Sequence, residues 1–180
     1  TGTNLLAPGK TPAENIRFLL FISAVIRAVD DYQDLLRLSV ATASNDHRLG
    51  ANEAPPAVIS IFLGEDLTSL LESFAEGKTH EETREQWMKL GSAVLPEFHK
   101  DQTDRNRTSP FAFTGNKFEF RSLGSSASIA ETNVVLNTIV ADVLMQFADE
   151  LEGAADFNTA LHDLIVRTLR KHNRVIFNGN

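Results

Sequence analysis

The 180-residue chain carries 17 Lys+Arg against 24 Asp+Glu, a net charge of −7, and it contains no cysteine. This length suits one domain that buries roughly 70% of its unfolded surface. The lack of thiols excludes a disulfide framework and a thiolate metal site. The longest apolar run, from Phe18 to Ile26, is far shorter than the ~20 residues that cross a bilayer. The five histidines lack the spacing of metal ligands, and we expect them at the surface or at helix ends.

A long helix is predicted over residues 11–42. Thr11 is a candidate N-cap, Pro12 suits the first helical position and Glu14 completes a capping box. Apolar residues follow at helical spacing. The acidic pair that begins at Asp30 indicates a bend.

The next segments are predicted as a loop and two further helices. Residues 43–54 are small and polar and are predicted as a loop. Pro55-Pro56 is predicted to begin a helix that Gly77 ends. Residues 79–100 have a helical pattern with many charges, typical of a solvated face.

Residues 105–121 predict a β-hairpin with a turn at Gly115-Asn116. Side chains alternate across a strand, so the second strand directs Phe118 and Phe120 to an apolar face. The opposite face receives a cation, a carboxylate and a cation, namely Lys117, Glu119 and Arg121.

Charge is concentrated in this hairpin. Residues 105–121 hold four cations (Arg105, Arg107, Lys117 and Arg121) and the single acid Glu119, so the segment is +3 and the remainder of the chain is −10. Arginines clustered in an acidic protein favour a small phosphate or carboxylate ligand, because guanidinium binds both in bidentate fashion. Nucleic acid is excluded as a partner, since the surrounding surface would repel it.

After a Gly/Ser-rich loop at 124–128, helical spacing of apolar residues predicts helices over 131–152 and 156–172. The fold class is therefore α+β, mostly helical with one hairpin. Because an isolated hairpin is marginally stable in water, this one is expected to belong to a larger, antiparallel sheet.

Pro8-Gly9-Lys10-Thr11 resembles the end of a phosphate-binding P-loop. The leading glycine of that motif would stand at position 4, which is Asn4, and too few residues precede it for the required strand and loop. We therefore reject this interpretation.

Three linked motifs resemble a known family, the type III glutamine synthetases. The run from Arg48 to Pro55 (Arg-Leu-Gly-Ala-Asn-Glu-Ala-Pro) is similar to the family's glutamate-flap motif. Asn106-Arg-Thr108 is similar to its Asn-Arg-Ser step, and Lys117-Phe-Glu-Phe-Arg121 is similar to its basic-x-Glu-x-Arg strand. The resemblance extends from end to end of the chain. It implies that ATP phosphorylates the side-chain carboxylate of glutamate and that ammonia then displaces the phosphate to give glutamine.

The resemblance also implies residue roles. Arg48 and Arg121 would bind glutamate, and Lys117 would contact the nucleotide. Glu53 would help to deprotonate ammonium, and Arg107 would stabilise the phosphoryl group in transfer. Glu119 would be a ligand of Mg²⁺ or Mn²⁺.

The same resemblance implies a cytoplasmic homo-oligomer, a dodecamer in the family, without a membrane partner. The family's N-terminal β-grasp domain and its other metal ligands are expected to lie upstream of Thr1, so the isolated chain is expected to be inactive. Two alternatives stay open: a related enzyme that phosphorylates another acid or a guanidino group, and a non-catalytic assembly module whose helices over 131–172 form subunit contacts.

Overall fold

A computed structural model describes residues 2–77 and 107–179 of the chain. These residues form a three-stranded sheet and a set of helices, which confirms the α+β class. The strands are β1 (Ile61–Phe62), β2 (Phe111–Phe113) and β3 (Phe118–Phe120). The α-helices are α1 (Ile16–Asp31), α2 (Gln33–Leu38), α3 (Ala43–Arg48), α4 (Glu65–Ala75), α5 (Ala130–Glu152) and α6 (Phe157–His172).

Some predicted features lie outside the described residues. They are the charged helix over 79–100 and the hairpin's first residues, Arg105 and Asn106. In the described ranges no helix is both long enough and apolar enough to span a bilayer.

Helix α1 is the centre of the core. It packs against α5 on one side and α6 on another, and α4 covers α6. Its buried side chains follow helical spacing and include Phe18, Leu19, Ile22, Ile26 and Val29, none more than 1% exposed. This packing is typical of a helix that sits between others rather than at the surface.

The predicted hairpin is confirmed. Phe113 pairs with Phe118 and Phe111 with Phe120 in antiparallel register, and the Thr114 amide donates to the Lys117 carbonyl at 2.8 Å across the Gly115-Asn116 turn. Gly115 has φ +94°, which a two-residue hairpin turn of type II′ requires at its first central position. The Phe111 and Phe118 rings stack with centroids 4.5 Å apart.

The hairpin belongs to a larger sheet, as expected, and that sheet is mixed. β1 pairs in parallel with β2, with Ile61 opposite Phe111, so β2 is the central strand. On the outer edge of β1, Ile61 also bridges Ile176 in parallel. The hairpin is therefore anchored by β1, which in turn contacts the segment at Ile176.

The prediction of one long helix over 11–42 was wrong in its start and its continuity. Thr11 makes no side-chain cap and precedes a 3₁₀ turn, Pro12–Glu14. The cap is Asn15, whose side chain accepts from the Phe18 amide at 3.1 Å. The helix then stops at Tyr32, whose φ of −123° lies outside the helical range.

The prediction of a helix from Pro55-Pro56 was also wrong. Ile59, Ile61 and Leu63 are all buried, whereas Val58 is 71% exposed, so the pattern has period two and forms a strand. Helix α4 begins only at Glu65, after Gly64 turns the chain with φ +80°.

The two helices after the hairpin are confirmed as α5 and α6, within one residue of their predicted bounds. Asp156 caps α6 by accepting from the amides of Asn158 and Thr159. His172 lies at a helix end, as expected, since it is the last residue of α6, but it is buried and only 2% exposed. Its Nδ1 lies 2.7 Å from Oδ2 of the buried Asp30.

Candidate ligand site at the hairpin and the 48–55 turn

The polar face of β3 carries the predicted row of alternating charges. Lys117 Nζ donates to Glu119 Oε1 at 2.6 Å, and Arg121 Nη2 donates to Glu119 Oε2 at 3.2 Å. The Glu119 side chain is 43% exposed and the Arg121 side chain 18%. The carboxylate thus faces outward between two cations, away from the phenylalanine face.

The electrostatics of the row keep Glu119 ionised. The hydrogen bond from Lys117 is the largest cause that holds the pKa of the Glu119 carboxyl below its ordinary value. Partial burial opposes it, and the hydrogen bond from Arg121 lowers the pKa further. A carboxylate bound by two cations is an acceptor with a fixed orientation.

Arg48 is placed beside this row by a helix that sequence analysis missed. Residues 43–48 form α3, and the Thr42 side chain caps it by accepting from the Asn45 amide at 3.2 Å. The predicted loop over 43–54 was therefore wrong in its first half. Arg48 stands in the last turn of α3, and its Nη2 donates to the Arg121 carbonyl at 3.5 Å.

Arg48 leads into a compact turn that ends at Pro55. The Gly50 amide donates to the Pro55 carbonyl at 2.9 Å, and the Ala51 amide to the Arg48 carbonyl at 3.1 Å. Gly50 has φ +81° and Asn52 φ +45°. A non-glycine residue in the left-handed region stores strain of about 1–3 kcal/mol, which is common in ligand clamps.

Glu53 and Arg107 meet at the tip of this turn. Arg107 Nη1 donates to the Glu53 carbonyl at 2.5 Å and lies 3.5 Å from Glu53 Oε2. The Glu53 side chain is 89% exposed, and Arg107 has a left-handed φ of +52°. The two residues predicted as catalytic are therefore in contact and open to solvent.

The six predicted residues thus form two groups joined by the 48–55 turn. One group is the β3 row with Arg48 against its end, and the other is the Glu53–Arg107 pair. Two cavities of about 480 and 500 Å³ lie elsewhere, beside α4 and beside Asp30 and Arg174. Neither is lined by any of the six residues.

The described residues do not build a metal site around Glu119. In residues 2–77 and 107–179, the one group of three acids or histidines close enough to share an ion is Asp30, Asp31 and His172. Mg²⁺ requires near-octahedral oxygen coordination, and both oxygens of Glu119 already accept hydrogen bonds from cations. Glu119 could supply one ligand at most.

The α+β fold presents cations around an acid on one strand, an arrangement whose chemistry suits small anions. Comparison with known proteins makes this specific. The chain is 50% identical over 182 residues to the type-3 glutamine synthetase of Dictyostelium discoideum. The aligned region covers 99% of the chain and 25% of that protein. The glutamine synthetase of Butyrivibrio fibrisolvens is 46% identical over 100% of the chain and 26% of that protein. The glutamine synthetase of Bacteroides fragilis (strain YCH46) is also 46% identical, over 96% of the chain and 24% of that protein.

The chain belongs to the glutamine synthetase family. It spans about a quarter of the length of the curated relatives it matches. No protein-family model matches it.

Proposed function

We propose that this chain is part of the catalytic domain of a glutamate–ammonia ligase, and that it supplies one wall of the active site. In the first step a γ-carboxylate oxygen of glutamate attacks the terminal phosphorus of ATP, which releases ADP and leaves γ-glutamyl phosphate. In the second step the nitrogen of ammonia attacks the γ-carbonyl carbon, and phosphate departs with the electron pair of the broken C–O bond.

The cations of the chain bind the anionic groups of these steps. Arg48 and Arg121 hold the carboxylates of glutamate by bidentate hydrogen bonds. Lys117 contacts the phosphates of the nucleotide. Arg107 stabilises the negative charge that spreads over the phosphoryl oxygens during transfer, where fixed donors contribute most.

The acids of the chain have separate roles. Glu53, at the exposed tip of its turn, accepts a proton from ammonium, so that the neutral nucleophile forms beside the acyl phosphate. Glu119 contributes one oxygen toward a divalent cation, Mg²⁺ or Mn²⁺, whose remaining ligands belong to other parts of the intact protein. The isolated 180-residue chain is therefore inactive.

The observation that carries this proposal is that the 48–55 turn contacts the hairpin segment at two places, one at each end of that segment. Arg48 reaches the Arg121 carbonyl, and Arg107 reaches Glu53. Residues far apart in sequence thereby present three arginines and a carboxylate along one continuous path. The similarity to glutamine synthetases at 46–50% identity supports the same reaction. We further propose that the intact protein is a cytoplasmic homo-oligomer.

The test is ATP-dependent glutamine formation by the intact parent protein and by its Arg107→Ala variant. We expect roughly a 10²-fold or larger fall in kcat, because the variant removes a fixed donor to the transition state. Arg167→Ala is the matched control. Arg167 also pairs with a carboxylate, Glu150 on α5, but takes no part in the site, so its variant should keep full turnover.

Two outcomes would refute the proposal. The parent protein could release phosphate with a different acid or a guanidino acceptor and not with glutamate and ammonia. Alternatively, Arg107→Ala could abolish assembly while turnover per subunit stays unchanged, which would identify the chain as an assembly module.

A further inference from the structure

We propose that Asn45 is the positioning residue that fixes the Arg48 guanidinium against strand β3, and that it thereby sets the affinity for the carboxylate substrate. This inference rests on the proposed function, in which Arg48 binds glutamate. Nothing in the motif that contains Arg48 marks Asn45, which lies three residues before it in α3.

Asn45 links three parts of the site with one side chain. Its Nδ2 donates to the Val40 carbonyl at 2.8 Å and to the Ser122 carbonyl at 2.7 Å. Its Oδ1 accepts from Arg48 Nη1 at 3.1 Å. The amide is thus bonded to the segment that follows α2, to the residue after Arg121, and to Arg48 itself.

Burial makes this arrangement specific. Asn45 is 4% exposed, and a buried amide with both N–H groups on carbonyls can adopt only one orientation. That orientation leaves Oδ1 directed at Arg48. Since Arg48 Nη2 also reaches the Arg121 carbonyl, two acceptors fix the plane of the guanidinium.

A fixed guanidinium plane matters because bidentate recognition of a carboxylate depends on it. An arginine that loses its second acceptor keeps its charge, but it must be ordered again by each substrate molecule. The consequence is weaker binding of the acid, with little change in nucleotide binding.

The experiment measures steady-state kinetics of the intact parent protein with Asn45→Ala. We expect the KM for glutamate to rise about tenfold, the value of one lost hydrogen bond to a charged group, while the KM for ATP stays constant. Asp156→Ala is the matched control, because it removes the side-chain cap of α6, a helix that contributes no residue to the site. It should lower the melting temperature and leave both KM values unchanged.

A double-mutant cycle with Arg48→Ala separates positioning from general damage. If Asn45 acts through Arg48, Asn45→Ala has no further effect on the glutamate KM in that background. An equal effect in both backgrounds, or an unchanged KM in the single variant, overturns the inference. If Asn45→Ala does not fold, Asn45→Ser replaces it in the same cycle, since its hydroxyl can still donate to a carbonyl.

A readout independent of catalysis keeps the inference distinct from the proposed function. In the 180-residue chain, ¹⁵N NMR should show restricted rotation of the Arg48 guanidinium, and fast averaging in Asn45→Ala. If the parent protein forms no glutamine but the NMR difference between the two chains is observed, the proposed ligase function is refuted and the role of Asn45 stands. Equal averaging in both proteins would refute the role of Asn45, whatever the enzyme assay shows.

Discussion

At the residue scale, Glu119 is the most constrained acid of the site. Each of its oxygens accepts a hydrogen bond from a different cation, Lys117 on one side and Arg121 on the other. A carboxylate retains further lone pairs in this state, so it can still contact one more positive group. The row therefore orients its acid before any ligand arrives, which lowers the cost of ordering on binding.

The depressed pKa of Glu119 predicts a pH-dependent contribution to stability. Ionised Glu119 stabilises the folded chain above its ordinary pKa of 4.5, and this contribution is lost as the pH falls through the lower pKa of the folded state. Glu119→Gln should therefore lower the free energy of unfolding at pH 7 by about 0.5 kcal/mol, as for exposed ion pairs. Urea denaturation at pH 7 and pH 3 measures the difference, which should be smaller at pH 3 than at pH 7.

The matched control is Glu72→Gln. Glu72 is exposed in the middle of α4 and makes no ion pair within residues 2–77 and 107–179. Its variant should have the same stability as the parent chain at both pH values. A Glu119→Gln deficit of the same size at pH 7 and pH 3 would show that packing, and not charge, causes it.

At the scale of elements, periodicity predicted those segments whose apolar residues recur at one unambiguous spacing. The hairpin and helices α5 and α6 are of this kind, and their bounds were nearly correct. It failed between Pro55 and Leu63, because apolar residues at 58, 59, 61, 62 and 63 satisfy both helical and alternating spacing. Pairing of β1 with β2, about 50 residues further along the chain, decides the outcome, and no local pattern contains that information.

The candidate site was predictable to the extent that its residues carry charge. Arg48, Glu53, Arg107, Lys117, Glu119 and Arg121 were all singled out by motif and charge, and the structure joins them in two contacting groups. Asn45 was missed because its importance comes from a hydrogen bond to Ser122, 77 residues away. One local signal was available, since Thr42 is an N-cap residue three positions before Asn45.

The corrected start of α1 gives a prediction about capping. Asn15→Ala should lower the free energy of unfolding by about 1 kcal/mol, because it leaves the Phe18 amide without its acceptor. Thr11→Ala is the natural control, since Thr11 makes no side-chain cap, and it should cost much less. Chemical denaturation of the two variants measures this, and equal losses would restore Thr11 as the cap.

At the scale of the whole molecule, a buried ionic cluster joins the central helix to the end of α6. Asp30 in α1 is 4% exposed and shares a 2.7 Å hydrogen bond with His172. Arg174, just beyond α6, donates its Nε to both oxygens of Asp30 at 2.9 and 3.1 Å. The sequence indicated a bend at this acidic pair but not the burial of Asp30, because the contact with His172 spans more than 140 residues.

The cluster predicts a large effect from one truncation. Asp30→Ala should lower the free energy of unfolding by about 3 kcal/mol, because it removes the 2.7 Å partner of the buried His172 and leaves it the more distant Asp31 carboxylate at 3.7 Å. Arg174→Ala should cost far less, since that side chain is 72% exposed. Replacing Asp30 and His172 together by leucine should recover most of the loss, because an apolar pair needs no partner in the core. Urea denaturation of the 180-residue chain measures the stability of all three variants. If the double variant is no more stable than Asp30→Ala, the cluster stabilises the fold by more than the pairing of its polar groups with one another.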